Sequence, residues 1–78
     1  MIRLMDLLAL RRDLLEIEEK IANGLHLIDE QRRVIAGLER DGCPADHAKY
    51  LLAGLELLQA AHHDGRNKIL KELGEVAG

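Results

Sequence analysis

The sequence predicts an all-α protein, an antiparallel two-helix hairpin with coiled-coil-like packing that dimerises into a four-helix bundle. Apolar residues recur at alternating spacings of three and four along both halves of the chain, and a glycine–proline break separates the halves. Such spacing is typical of a coiled-coil seam. The 78 residues include no Phe, no Trp and one Tyr, which disfavours a large globular core or a deep ligand pocket.

The first helix is predicted over residues 3–40, because a single apolar seam continues through this whole segment. Eight of its ten seam positions are apolar, the exceptions being Gly24 and Gln31. The ten positions are Leu7, Leu10, Leu14, Ile17, Ile21, Gly24, Ile28, Gln31, Ile35 and Leu38. A helix of this length spans roughly 55 Å, and it needs a packing partner along that length to be stable.

The segment "ERDGCPADHA" predicts a turn at residues 41–44. Gly42 suits the left-handed position after a helix end, and Pro44 suits the first turn of the following helix. Asp46 then falls in that first turn, where the helix dipole favours an acid. A connection this short makes the two helices antiparallel neighbours.

The second helix is predicted over residues 45–74, followed by a frayed "EVAG" end. Its predicted seam, interrupted by Glu72, consists of Ala48, Leu51, Leu55, Leu58, His62, Gly65, Ile69 and Val76. Folding the hairpin about the turn pairs residues whose numbers sum to about 86. Gly24 is then expected opposite His62 and Gly65 opposite Ile21, and these are the predicted sites of close helix packing.

Further apolar residues lie beside the two seams and predict an interface with a second molecule. The predicted interface residues are Leu4, Leu8, Leu15, Leu25, Leu52, Leu70 and Leu73. Contiguous apolar surface on a small monomer usually marks an interaction site. A two-fold homodimer is the commonest way to cover it, and a larger bundle or a different partner protein is the alternative. The relative orientation of the two hairpins stays open.

The sequence predicts no catalytic, metal or cofactor site, and therefore no enzyme. His62 and His63 are adjacent, so on a helix they point about 100° apart and do not share one ion, since a helical zinc pair needs i, i+4 spacing. Cys43 and His47 lie at the hairpin tip, which offers neither a cleft nor an orienting group for nucleophilic catalysis.

Five arginines predict an alternative function, in which the protein is a small RNA-binding regulator. They form a row along the first helix: Arg11, Arg12, Arg32, Arg33 and Arg40. Acidic residues share that face, the net charge is −3, and no aromatic side chains are available for base stacking. Nucleic acid is therefore the less favoured partner.

No run of 18 apolar residues occurs, so no membrane span is predicted. The apolar opening "MIRLMDLLALRR" is interrupted by Asp6, and no small-residue cleavage site follows it. A signal peptide is therefore not expected, and the expected location is the cytoplasm.

Three stretches between Gln31 and Gly74 carry a resemblance to a known group of proteins: "QRRVIAGLERDG", "LLAGLELLQAAH" and "DGRNKILKELG". They resemble a group of small uncharacterised helical proteins of proteobacteria, whose pattern reads roughly QRxxIxxLERDG, then LLxxxExxQxxH, then DRxxLLxEL. Cys43, Pro44, Leu57 and the pair Gly65-Arg66 depart from that pattern. The resemblance implies a short, soluble helical protein and brings no activity with it. The predicted function is therefore a non-enzymatic structural or protein-interaction module that self-associates through helix faces.

Overall fold

Two long helices make up the chain in a computed structural model, which describes residues 3–77. Helix α1 spans Leu4–Arg40 and helix α2 spans Asp46–Ala77, and the two pack side by side in opposite directions. The predicted all-α hairpin is confirmed, and the described residues contain no strand. The hairpin measures 61 × 15 × 14 Å, and its radius of gyration is 17.7 Å. A globular domain of this size has a radius of gyration of about 11.5 Å, so this hairpin is a rod.

The turn forms because a glycine closes α1 in a Schellman motif. Gly42 has φ +73°, the left-handed conformation that the sequence predicted for it. The Cys43 N–H donates to the Leu38 carbonyl at 2.8 Å, and the Gly42 N–H donates to the Glu39 carbonyl at 3.1 Å. These two bonds satisfy carbonyl groups that the end of a helix leaves unpaired.

Helix α2 begins and ends later than the sequence predicted. The Ala45 carbonyl accepts the first helical bond from the Lys49 N–H at 2.9 Å, so Pro44 precedes the helix instead of lying in its first turn. At the other end the helix continues to Ala77, through three of the four residues expected to fray; the fourth, Gly78, lies outside the described residues. Half-buried Val76 belongs to the packed seam, and this packing supports the last turn.

The buried core lies in the half of the hairpin nearest the turn. Four residues are buried there: Ile28, Ile35, Ala45 and Ala48. Ile35 packs in one cluster with the two alanines, and Leu38 and Leu52 lie against this cluster. The large Ile35 side chain of α1 is thus matched by small residues at the start of α2, which allows the two backbones to approach closely.

The seam of α2 differs from the predicted one by a rotation of the helix. The residues turned toward α1 are buried or half-buried and are spaced three and four apart: Ala45, Ala48, Leu52, Leu55, Gln59, His62, Arg66, Ile69, Leu73 and Val76. Leu51 and Leu58 were predicted in the seam but are 46% and 55% exposed. The two rows share five positions, and both are largely apolar, because Leu51 and Leu58 belong to the predicted row while Leu52 and Leu73 belong to the observed one. The observed row also keeps the Glu72 carboxylate out of the seam.

Two glutamines bond across the seam to the backbone of the opposite helix. The Gln31 Nε2 donates to the Ala48 carbonyl at 3.0 Å, and the Gln59 Nε2 donates to the Ile21 carbonyl at 2.8 Å. Directional bonds of this kind fix the rotation of each helix, which apolar contacts alone specify less sharply. The amide of Gln59 therefore explains why the row containing Gln59 faces α1.

Candidate interaction surface

A stripe of exposed leucines runs along the first half of α1, well outside the hairpin seam. We name it the leucine stripe and define it by five residues: Leu4, Leu8, Leu15, Ala22 and Leu25. Its four leucines are 70%, 53%, 67% and 64% exposed, in that order. The members fall on a second row with three–four spacing, and charged Arg11 and Glu18 fill the two intervening positions. This row lies about 100° around α1 from the seam, the direction in which a four-helix bundle places a second neighbour.

Ion pairs locate the leucine stripe on one side of the hairpin. Leu4 and Leu25 occupy the same heptad position as three charged residues of α1, each of which pairs with α2. These pairs are Glu18 with Arg66 at 3.7 Å, Arg32 with Glu56 at 3.8 Å and Glu39 with Lys49 at 3.3 Å. Leu70, 40% exposed, follows Arg66 by one helical turn, so it extends the apolar surface on this same side.

Two of the predicted interface leucines lie elsewhere. Leu52 and Leu73 are half-buried and belong to the hairpin seam, and Leu52 packs on the core cluster. Their expected place at an outer interface is wrong because α2 is rotated by one position relative to the predicted seam. Leu51 and Leu58 are exposed instead, and together with Leu27 and Val34 they form a second apolar patch on the other side of the hairpin.

Gly24 lies at a close packing contact, but its neighbour is Gln59 and not the predicted His62. A Cβ at position 24 would overlap the Gln59 amide oxygen and would lie 2.9 Å from Gln59 Cδ. The glycine therefore leaves room for the Gln59 amide to lie against α1 and donate to the Ile21 carbonyl. The numbers of facing residues therefore sum to about 83, whereas the sequence predicted about 86. The difference is a shift of about one helical turn between the two helices.

We expect Gly24→Ala to have a near-zero effect in the parent chain and to stabilise a Gln59→Ala chain by about 1 kcal/mol. Alanine raises helix propensity by about 1 kcal/mol. In the parent chain this gain is opposed by loss of the Gln59 hydrogen bond, also worth about 1 kcal/mol. Thermal or urea unfolding of the four chains in a double-mutant cycle measures the coupling.

Gly54→Ala provides the matched control, because a Cβ at position 54 meets no atom within 4 Å. The gain in the free energy of unfolding from Gly54→Ala should be the same in the parent chain and in the Gln59→Ala chain. A Gly24–Gln59 coupling no larger than that of Gly54 with Gln59 would contradict the role assigned to Gly24.

Gly65 and His62 make looser contacts than predicted. A Cβ at position 65 would lie 3.4 Å from Ile17 Cδ1, an ordinary van der Waals distance, so this glycine faces Ile17 and not Ile21. His62 is half-buried in the seam, and its Nδ1 is buried without a hydrogen-bond partner among the described residues. His62 and Gln59 line a shallow groove of about 200 Å³ that also contacts Leu27 and Leu58.

The arginine row of α1 is largely engaged in ion pairs within the chain. Four of its five members lie within 4 Å of a carboxylate oxygen: Arg12 with Asp13, Arg32 with Glu56, Arg33 with Asp29 and Arg40 with Asp41. Each pair is solvent-exposed and contributes about 1 kcal/mol or less. Their carboxylates lower the positive potential that a phosphate backbone would meet along this row.

The side chains that could act as nucleophiles or metal ligands, at the tip and in α2, do not come together in a site. Cys43 is exposed, its Sγ lies 4.0 Å from the Asp41 carbonyl oxygen, and its backbone N–H caps the C-terminal end of α1. Within residues 3–77, no three side chains of His, Cys, Asp or Glu come together as a metal site would require.

Neither helix, over the described residues, is both long and apolar enough to cross a membrane. In comparisons with models of protein families, with curated proteins and with solved structures, nothing matched this chain. The similarity to the proteobacterial group therefore stays a prediction.

Proposed function

We propose that this protein is a non-enzymatic interaction module, a helical hairpin that self-associates into a four-helix bundle through the leucine stripe. The observation that carries the proposal is the exposure of four leucines in one row, each more than half accessible to solvent. Burying a leucine fully contributes about 1.5–3 kcal/mol, so covering several of them strongly favours association.

The total surface of the hairpin supports the same conclusion. It exposes 6158 Å², whereas a compact monomer of this mass exposes about 4,700 Å². The difference is larger than the ~800 Å² that each partner buries in a standard protein interface. A second copy is the simplest partner that brings a matching apolar face. The assembled bundle would then act by presenting its outer helix faces.

RNA binding by the arginine row is the competing function, and the ion pairs on the row weaken it. Retention on a polyanion column separates the two functions. Self-association predicts little retention even at low salt. RNA binding predicts strong retention that falls steeply as salt rises, because bound phosphates release counterions.

The deciding experiment is the mass in solution, measured by light scattering after size exclusion across a dilution series. We expect about twice the chain mass of 8.7 kDa at high concentration, with dissociation on dilution. A folded chain that stays monomeric at the highest concentrations would overturn the proposal, because its leucine stripe would then be stable in water.

A further inference from the structure

We propose that the second copy packs antiparallel on the leucine stripe, with the two-fold axis passing beside Leu15, so that the two hairpin tips point in opposite directions. This inference rests on the proposed self-association and adds the orientation of the partner. It follows from the pattern of charge and size along the stripe.

The row that contains the stripe is self-complementary when it is reversed. In order along α1 it consists of Leu4, Leu8, Arg11, Leu15, Glu18, Ala22 and Leu25. When a second copy of this row is reversed about Leu15, Leu4 faces Leu25, Leu8 faces Ala22 and Arg11 faces Glu18. Each leucine thus meets another apolar residue, and each charged residue meets one of opposite charge. A parallel alignment would instead place Arg11 against Arg11 and Glu18 against Glu18, which costs stability.

The flanking positions repeat the charge pattern. Arg12 and Glu19 each follow a charged member of the row and carry the same sign as that member. Seven residues separate the basic pair from the acidic pair, two full turns of helix, so both pairs lie on one face. The acidic residues that argued against RNA along this face therefore complement the arginines of an antiparallel copy.

Both charges of the central pair are accessible for this contact. Glu18 is already 3.7 Å from Arg66 Nε, and about half of its side chain remains exposed. A carboxylate accepts several hydrogen bonds, so Glu18 has capacity for a second arginine. Arg11 is exposed, and it has no ion pair within residues 3–77.

The antiparallel arrangement covers the end of the leucine stripe farthest from the turn, because Leu4 and Leu8 face residues 22–25 of the second α1.

The arrangement also completes a four-helix bundle around Leu70. Leu70 lies one turn from Arg66 on the side that carries the stripe. The facing-residue sum of about 83 puts it near the level of Leu15, so it would meet its own copy near the axis. Four helices then overlap for about 33 Å, the length of residues 4–25. The turns extend beyond this overlap at opposite ends.

Cys43 provides a direct test because it is the only cysteine, lies at the tip and is exposed. The antiparallel dimer separates the two Cys43 residues by about 84 Å, since each lies 28 residues from Leu15. A dimer with both tips at one end brings them within about 30 Å. Donor-labelled and acceptor-labelled chains are mixed, and energy transfer is measured at concentrations where light scattering shows the dimer.

A second labelled chain reports dimer formation itself. Lys71→Cys in a Cys43→Ser chain places an exposed label next to Leu70, and this label pair lies within about 30 Å in either arrangement. We expect strong transfer from position 71 and negligible transfer from position 43. Strong transfer from both positions would overturn the antiparallel arrangement and leave self-association intact. A monomeric mass by light scattering, together with no energy transfer between labels at position 71, would overturn the proposed function itself.

Charge reversal tests the pairing independently. Arg11→Glu should raise the dissociation constant of the dimer by about tenfold or more, because the introduced carboxylate then opposes that of Glu18 at both symmetric contacts of the interface. Arg33→Glu is the matched control, since Arg33 is exposed and lies outside the overlap of residues 4–25 with the second copy. A dimer equally sensitive to both substitutions, or insensitive to Arg11→Glu, would contradict the charge pairing.

Discussion

Replacing Leu15 with lysine should convert the proposed dimer to monomers, raising its dissociation constant by more than about 100-fold. Leu15 is in the middle of the leucine stripe and is 67% exposed in the single chain. A dimer loses this leucine from both copies, and burial of each is worth about 1.5–3 kcal/mol. Two lysines near one another at the interface add repulsion. Light scattering across a dilution series measures the change.

Leu57→Lys is the matched control for this substitution. Leu57 is 73% exposed, close to the exposure of Leu15, but it points away from both α1 and the side that carries the stripe. The mass of this variant in solution should equal that of the parent. If Leu57→Lys dissociates the protein while Leu15→Lys does not, the interface lies on a different face of the hairpin.

Replacing Ile28 with alanine should lower the free energy of unfolding by about 2–4 kcal/mol. Ile28 is 6% exposed, the most buried side chain among the described residues. Truncation removes its transfer free energy and leaves a space that two stiff helices do not readily close. Folding free energies are about 0.05–0.15 kcal/mol per residue, so this change removes a large share of the stability of so short a chain.

Leu27→Ala tests whether burial of the Ile28 side chain causes the expected loss of stability. Leu27 is the adjacent residue, has a side chain of similar volume and is 48% exposed, so its truncation should cost less than about 1.5 kcal/mol. Urea unfolding of both variants and the parent must use one chain concentration, because the proposed dimerisation would add to the apparent stability. Equal losses for the two variants would contradict a core centred on Ile28.

The three–four spacing and the turn residues determined the hairpin. Gly42 adopts the left-handed conformation that only glycine accepts easily, and the α1 seam through Ile28 and Ile35 is the buried one. These features are local: a helix period and a backbone conformation are properties of neighbouring residues. The leucine stripe was also visible in the sequence, because four of the predicted interface residues belong to it and remain exposed.

The rotation of α2 was decided only by tertiary structure. Two rows of α2 satisfy the same spacing, one through Leu51 and Leu58 and one through Leu52 and Gln59, and apolar spacing does not rank them. The choice follows from contacts between residues far apart in sequence, above all the bond from the Gln59 amide to the Ile21 carbonyl across the gap that Gly24 provides. A polar residue in a seam looks like a weakness in the sequence. In the folded hairpin its hydrogen bond is directional, and that direction sets which face of α2 meets α1.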